Sequence, residues 1–163
     1  TTPEALPVLT SKEVVELFTK YGVFSEAELK SRQEIYLEQY VKVITTEANL
    51  VIRMARTVIF PAAVRYQGEL AATCASLKAI GHDVKMATLE DVTSKLRSMQ
   101  TEVDNLEKLL AHEGGDTLAH ATYMCNKVLP AMLTVRGYAD GLESVVADDL
   151  WPLPSYQEML FIR

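Results

Sequence analysis

The chain has 163 residues, of which 48% are hydrophobic and 23% charged, and its net charge is −6. This length and composition suit one globular domain with a sizeable core. The acidic balance argues against a nucleic-acid surface, and no run approaches the roughly 18 consecutive apolar residues of a membrane span. Cys74 and Cys125 make no disulfide framework, which favours a cytosolic protein. The start at Thr1, with neither Met nor a signal-peptide pattern, fits a processed or excised piece.

The predicted elements are all helical, because glycine and proline are scarce and apolar residues do not alternate with period two. Residues 1–24 predict an extended lead-in, marked by Pro3 and Pro7, and then a short helix. A capping box at Thr10-Ser11-Lys12-Glu13 begins that helix, and Gly22 ends it.

Residues 25–80 predict one very long helix that begins at a second capping box, Ser25-Glu26-Ala27-Glu28. Pro61 is expected to kink this helix or divide it. Unbroken, it would span about 80 Å at 1.5 Å per residue. The later helices are long enough to cover its second half, so its first half needs other neighbours, for which the short first helix, the apolar tail and a missing partner are the candidates. Spacings of three and four place one set of apolar residues on a single face: Leu37, Val41, Ile44, Ala48, Val51, Ala55, Val58, Ala62, Tyr66, Leu70 and Leu77.

Two further helices are predicted over 88–113 and 116–147, the second with a kink at Pro130, and Gly114-Gly115 joins them as an antiparallel hairpin. Their apolar seams favour an intramolecular bundle core over a dimeric coiled coil. Gly137 and Gly141 are candidates for close helix approach. The first seam is Leu89, Val92, Leu96, Met99, Val103, Leu106 and Leu110; the second is Leu118, Ala121, Cys125, Val128, Met132, Val135, Ala139, Leu142 and Val146.

The last segment, 148–163, is an apolar extended tail that breaks the helical pattern with two prolines. A polar terminus normally frays, whereas an exposed apolar run is a solubility liability. We therefore expect the tail to dock, either on this chain or on something to which the chain is normally attached. The predicted docking residues are Trp151, Leu153, Tyr156, Met159, Leu160, Phe161 and Ile162. The predicted fold is thus an all-α antiparallel bundle with one very long, Pro61-kinked helix, a hairpin and this tail.

No catalytic, cofactor-binding or metal-binding residue is predicted in this segment. The stretch from His112 to Asp116, with His120, could hold a metal at the hairpin tip, although a polar turn is the favoured interpretation. Carboxylate pairs such as Glu34 with Glu38 are interpreted as solvated faces. Three arginines could reach a phosphate, but ion pairs are favoured for them: Arg53, Arg56 and Arg65.

Three segments of the chain resemble the type III glutamine synthetases, at its beginning, middle and end. They are Ser25-Glu26-Ala27-Glu28-Leu29-Lys30-Ser31-Arg32-Gln33-Glu34-Ile35-Tyr36-Leu37-Glu38-Gln39-Tyr40-Val41, Pro61-Ala62-Ala63-Val64-Arg65-Tyr66-Gln67 and Asp148-Asp149-Leu150-Trp151-Pro152-Leu153-Pro154-Ser155-Tyr156-Gln157-Glu158-Met159-Leu160-Phe161-Ile162. The resemblance implies the C-terminal helical domain of an enzyme that ligates ammonia to glutamate with ATP and Mg or Mn. That family's catalytic motifs lie upstream, so no catalytic residue is carried over.

The leading hypothesis is a non-catalytic domain that supports folding, tail docking and assembly. Its expected partners are the catalytic domain of the parent chain and neighbouring subunits of a homo-oligomer, with no nucleic acid and no membrane. The alternative is a free-standing helical-bundle interaction module that uses the first half of the long helix as a helix-binding groove. A third hypothesis, a metalloenzyme in the bundle core, predicts stoichiometric metal on purification.

Overall fold

The computed structural model describes residues 1–112, 115–154 and 156–160. Every regular element among them is helical, which confirms the predicted all-α class. None of these described helices combines the length and apolar character needed to cross a membrane. The α-helices are α1 (Thr2–Ala5), α2 (Lys12–Lys20), α3 (Glu26–Met54), α4 (Phe60–Ala79), α5 (Ala87–Leu110), α6 (Thr117–Tyr123), α7 (Leu129–Glu143) and α8 (Tyr156–Leu160).

The N-terminal segment is helical rather than extended, so that part of the prediction is wrong. Helix α1 is followed directly by a 3-10 turn over Leu6–Thr10. Pro3 and Pro7 are each the second residue of their element, within the first turn, where a helix makes no use of a backbone N–H. Ser11, rather than Thr10, caps α2, because its Oγ accepts a hydrogen bond from the Val14 N–H at 3.4 Å.

The second capping box begins α3 as the sequence predicts. The Ser25 N–H donates to Glu28 Oε2 at 2.7 Å, and the Glu28 N–H donates to Ser25 Oγ at 3.3 Å. The hydrogen bond from the Ser25 backbone, together with one from its hydroxyl, holds the pKa of Glu28 below its ordinary value. These bonds satisfy backbone donors that the first turn of a helix otherwise leaves unpaired.

Both prolines inside the long helical segments are preceded by a turn of π-helix. One π-turn spans Ala55–Ile59, and the other spans Met124–Val128. Each ends two residues before its proline, Pro61 or Pro130. A proline donates no hydrogen bond, and its ring clashes with the carbonyl four residues earlier. Widening the preceding turn to a π-turn accommodates both the missing hydrogen bond and the bulk of the ring. At each predicted kink, the helix therefore contains a π-turn just before the proline.

The chain forms two compact units. The first comprises Thr1–Asn49 and Leu106–Met132, and the second comprises Leu50–Asn105 and Leu133–Arg163. The first half of the long helix therefore shares its unit with the N-terminal elements and the hairpin end, and within that unit α1 contacts α6. Of the neighbours expected from the sequence, the short helix α2 belongs to this unit, whereas the tail belongs to the second. The largest fully buried side chains are Leu29, Met99, Leu106, Leu142, Val92, Val128 and Val135.

Close approach at glycine occurs in the second unit at Gly141 but not at Gly137. A Cβ built on Gly141 would lie 3.3 Å from Lys95 Cε, whereas one on Gly137 would meet nothing within 4 Å. The neighbour of Gly141 is the end of a lysine side chain, so close helix approach at Gly141 stays a prediction, and at Gly137 the prediction is wrong.

Candidate docking site

The solvent face of α3 in the first unit carries an apolar stripe. Ile35 is 57% exposed and Val43 is 46% exposed, and Gln39 lies midway between them. We call these three residues the outer stripe. Ile35 and the buried Ile44 are nine residues apart, or about two and a half helical turns, so they lie on opposite faces. Helix α3 is therefore apolar on its core face and again on part of its solvent face.

A shallow groove of about 600 Å³ follows the outer stripe. Its floor is apolar and its edges are charged, a combination that suits an amphipathic helix. On one edge Lys42 Nζ lies 3.2 Å from Glu38 Oε2. The groove is lined by Ile35, Glu38, Gln39, Lys42, Val43, Thr46 and Glu47.

The tail places its apolar residues in two different environments. Trp151 and Leu153 are half-buried, and the Trp151 Nε1 is buried without a hydrogen-bond partner among the described residues. Met159 and Leu160 are 57% and 74% exposed. The other predicted docking residues, Phe161, Ile162 and the side chain of Tyr156, lie outside the described part of the chain. Docking of the tail stays a prediction.

One polar contact in the first unit was not predicted from the sequence. The phenol of Tyr40, on α3, is electrostatically coupled to the Cys125 thiol, in the second π-turn. Burial, followed by this interaction with the thiol, raises the pKa of Tyr40 to about 12, because both favour the neutral phenol. The sequence around a half-buried helical tyrosine contains no pattern that indicates such a pairing.

The raised pKa of Tyr40 predicts a separate step in an alkaline titration. The folded state favours the neutral phenol, so this stabilisation is present below the unfolded pKa of about 10 and is lost as pH rises towards 12. Ultraviolet titration of the chain's seven tyrosines should show one group ionising near pH 12. Tyr40→Phe should remove that step, whereas the control Tyr21→Phe should retain it. Loss of the late step in the control variant would contradict the assignment.

The hairpin-tip residues considered as metal ligands make other contacts. The His112 ring stacks on Tyr123 with centroids 4.1 Å apart. The Asp116 carboxylate caps α6 by accepting from the Ala119 N–H at 2.7 Å, and His120 lines a small surface groove. Within the described ranges no three His, Cys, Asp or Glu side chains are grouped for a metal ion; Glu113 and Gly114 lie outside those ranges.

The predicted ion pairing of the arginines is confirmed at Arg56, in the second unit. Arg56 Nη2 lies 2.9 Å from Asp104 Oδ1, an ion pair between the first π-turn and α5. Arg53 and Arg65 are exposed. Cys74 and Cys125 are free thiols in half-buried positions.

The fold is that of an all-helical domain with two exposed apolar surfaces, the outer stripe and the tail. Comparison with known proteins identifies its family. Residues 1–78 match the glutamine synthetase C-terminal domain. The chain belongs to this family. It is 32% identical over 99% of its length to the type-3 glutamine synthetase of Dictyostelium discoideum. It is also 31% identical over 98% of its length to the glutamine synthetase of Butyrivibrio fibrisolvens.

Within that family, the chain is the C-terminal helical domain of a type III glutamine synthetase, which confirms the resemblance seen in the sequence. The glutamine synthetase of Bacteroides fragilis (strain YCH46) is 27% identical over 99% of the chain. The chain spans 23% of the Dictyostelium protein and 24% of each bacterial one. It therefore corresponds to about a quarter of these longer proteins.

Proposed function

We propose that this chain is the non-catalytic structural and assembly domain of its parent glutamine synthetase. The parent would ligate ammonia to glutamate in the cytoplasm with ATP and Mg or Mn. The catalytic domain would carry out this chemistry, and this chain would contact that domain and neighbouring subunits of a homo-oligomer. Its support is that the chain matches nearly end to end with about a quarter of longer glutamine synthetases.

The observation that carries the assembly role is the state of the tail. A buried indole N–H normally has a hydrogen-bond acceptor, and leaving one unpaired costs about 1–3 kcal/mol. Trp151 Nε1 is such a donor among the described residues, and Met159 and Leu160 remain largely exposed nearby in sequence. We infer that an acceptor outside the described residues pairs with this N–H, and that an apolar surface of the catalytic domain or of another subunit covers Met159 and Leu160.

The proposal predicts that the 163-residue chain is inactive by itself. With glutamate, ATP, Mg²⁺ and hydroxylamine, it should form no γ-glutamyl hydroxamate above the blank, while the full-length parent enzyme, as the positive control, should form it. Circular dichroism should verify in parallel that the assayed chain is helical. Turnover by the helical 163-residue chain would contradict a non-catalytic role.

The alternative function, a free-standing helix-binding module, is favoured by the groove along the outer stripe. The reading frame upstream of the Thr1 codon discriminates between the two functions. A frame that continues into a glutamine synthetase catalytic domain is expected for an assembly domain. A stop codon followed by a start at this point would favour the free-standing module.

A further inference from the structure

We propose that an exposed apolar edge at the end of α2 docks on the catalytic domain that precedes this chain in the parent enzyme. The edge consists of Leu17, Tyr21 and Val23, which we call the α2 patch. The inference rests on the proposed function, for which it names a surface that contacts the catalytic domain. It concerns the first unit of the chain, whereas the tail belongs to the second.

The apolar face of α2 covers nearly half of the helix circumference. Its large apolar side chains fall within an arc of about 160° at about 100° per residue; they are Val14, Val15, Leu17, Phe18 and Tyr21. The structure describes all nine residues of α2, and none of them is buried. Because a surface helix normally buries its apolar face against a core, this face is only partly covered by the described residues.

The two sides of that face differ in their surroundings. On one side, the Phe18 and Phe24 rings pack with their centroids 5.7 Å apart, and the Arg32 guanidinium of α3 lies 4.2 Å from the Phe24 centroid. On the other side, Leu17 and Tyr21 are 52% and 69% exposed. These two residues are four apart and therefore adjoin on the helix surface. The exposed side is available for an apolar partner.

The α2 patch has the composition of a small interface. Val23, in the turn after α2, is 53% exposed, and its N–H donates to the Phe18 carbonyl at 3.0 Å, which holds the turn beside the helix end. Tyr21 combines a large apolar ring with a polar hydroxyl, and tyrosine is enriched at protein interfaces. Lys20 Nζ lies 5.7 Å from the Tyr21 ring centroid. The patch therefore offers an apolar centre with a polar rim, as specific interfaces do.

The place of the patch along the chain indicates its partner. The chain corresponds to the C-terminal domain of longer glutamine synthetases and to about a quarter of their length, so most of the parent sequence precedes this domain. Helix α1 and the 3-10 turn fill residues 2–10, and at 1.5–2.0 Å per residue they advance only roughly 15–20 Å. The upstream chain would therefore enter close to α2. Exposed apolar residues are concentrated in the same stretch, because four of the thirteen large ones among the described residues lie within 8–23.

The size of the patch favours a contact within one chain. Three side chains cover far less than the roughly 800 Å² that each partner buries in a standard protein interface, so the α2 patch would not hold two separate molecules together. The catalytic domain belongs to the same parent chain, and a contact within one chain forms at high effective concentration. A small patch is sufficient under that condition.

Photo-cross-linking of the full-length parent enzyme tests the proposal. With p-benzoylphenylalanine in place of Tyr21, irradiation should join this position to a peptide of the catalytic domain, and the denatured product should keep the mass of one chain. The matched control places the same group at Thr19, about 160° away on the exposed polar face of α2, and should give about a tenth of that yield. A product with the mass of two chains would assign the patch to another subunit and overturn the inference. Equal yields at the two positions would overturn it as well.

Hydrogen exchange in the full-length enzyme provides a second measurement. Leu17→Asp places a charge in the proposed contact and should speed the exchange of the α2 amides by about tenfold or more, because the docked helix then opens more readily. Thr19→Asp, the control on the opposite face, should change their exchange by less than about twofold. Equal effects of the two variants would contradict docking through the α2 patch. Neither measurement concerns the tail or the activity of the isolated chain, so the proposed function could stand while this inference failed.

Discussion

Replacing Leu142 by alanine is expected to lower the free energy of unfolding by about 2–5 kcal/mol. Leu142 lies near the end of α7 and is 0% exposed. Truncation to alanine loses the transfer energy of the buried methyl groups and leaves a cavity that its neighbours fill incompletely. The position is also confined, because Val146, whose N–H donates to the Leu142 carbonyl at 2.9 Å, is itself buried.

The control for this prediction is Leu133→Ala, on the same helix. Leu133 is 67% exposed, and alanine is at least as good a helix former as leucine, so its removal should change stability by no more than about 0.5 kcal/mol. Urea unfolding monitored by circular dichroism gives both values. Equal effects from the two substitutions would contradict the burial assigned to α7.

Deleting residues 150–163 from the full-length parent enzyme is expected to split its oligomer into smaller species. The deletion removes Trp151, whose buried Nε1 has no acceptor among the described residues, and the exposed apolar pair Met159 and Leu160. Anchors of this kind, a tryptophan with neighbouring apolar residues, often dominate the energy of an interface. The loss should therefore appear in assembly more strongly than in the unfolding of the domain itself.

A milder variant separates the two parts of the tail. Met159→Asp/Leu160→Asp keeps Trp151 and the prolines but places charges on the exposed apolar surface. If that surface is covered by another subunit, this variant should also weaken the oligomer, since burial of an unpaired charge is costly. Unchanged assembly in this variant, with loss in the truncated enzyme, would restrict docking to the segment around Trp151.

Much of the fold could be predicted because its signals are local. The capping box at Ser25 and Glu28 forms as predicted, and Gly22, beyond the end of α2, has φ +65°, a conformation that glycine adopts readily. The segment that contains Pro3 and Pro7 was predicted incorrectly because proline is compatible both with an extended lead-in and with the first turn of a helix. The choice depends on packing, which local sequence does not contain.

The predicted core seam is buried at most positions at and beyond the second π-turn, namely Val128, Val135, Leu142 and Val146. The predicted seam includes Cys125 and Met132, which are half-buried, while their neighbours Met124 and Ala131 are buried. A π-turn accommodates one more residue than an α-turn, and these two mismatches lie within the π-turn or close to Pro130, whereas the later seam positions are buried as predicted. Pro130 marks the place of this change, but the sequence does not say whether the helix bends, breaks or widens there.

The two exposed apolar surfaces could be indicated only in outline from the sequence, and docking at either of them stays a prediction. The apolar tail is evident from the composition of the last segment. The uncovered stretch of the long helix is evident from its predicted length. The positions of Ile35 and Val43 on the solvent face follow from the helical period once Leu37 and Ile44 are known to be buried. The coupling of Tyr40 to Cys125 involves residues far apart in the chain, so no local pattern could indicate it.

The most direct test of the central claim is the native mass of the full-length parent enzyme with and without residues 150–163, measured by mass photometry under the same buffer conditions. We predict one high-mass oligomer for the intact enzyme and smaller species for the truncated one. Identical masses, with glutamine synthetase activity retained in both, would contradict the assignment of this chain to assembly.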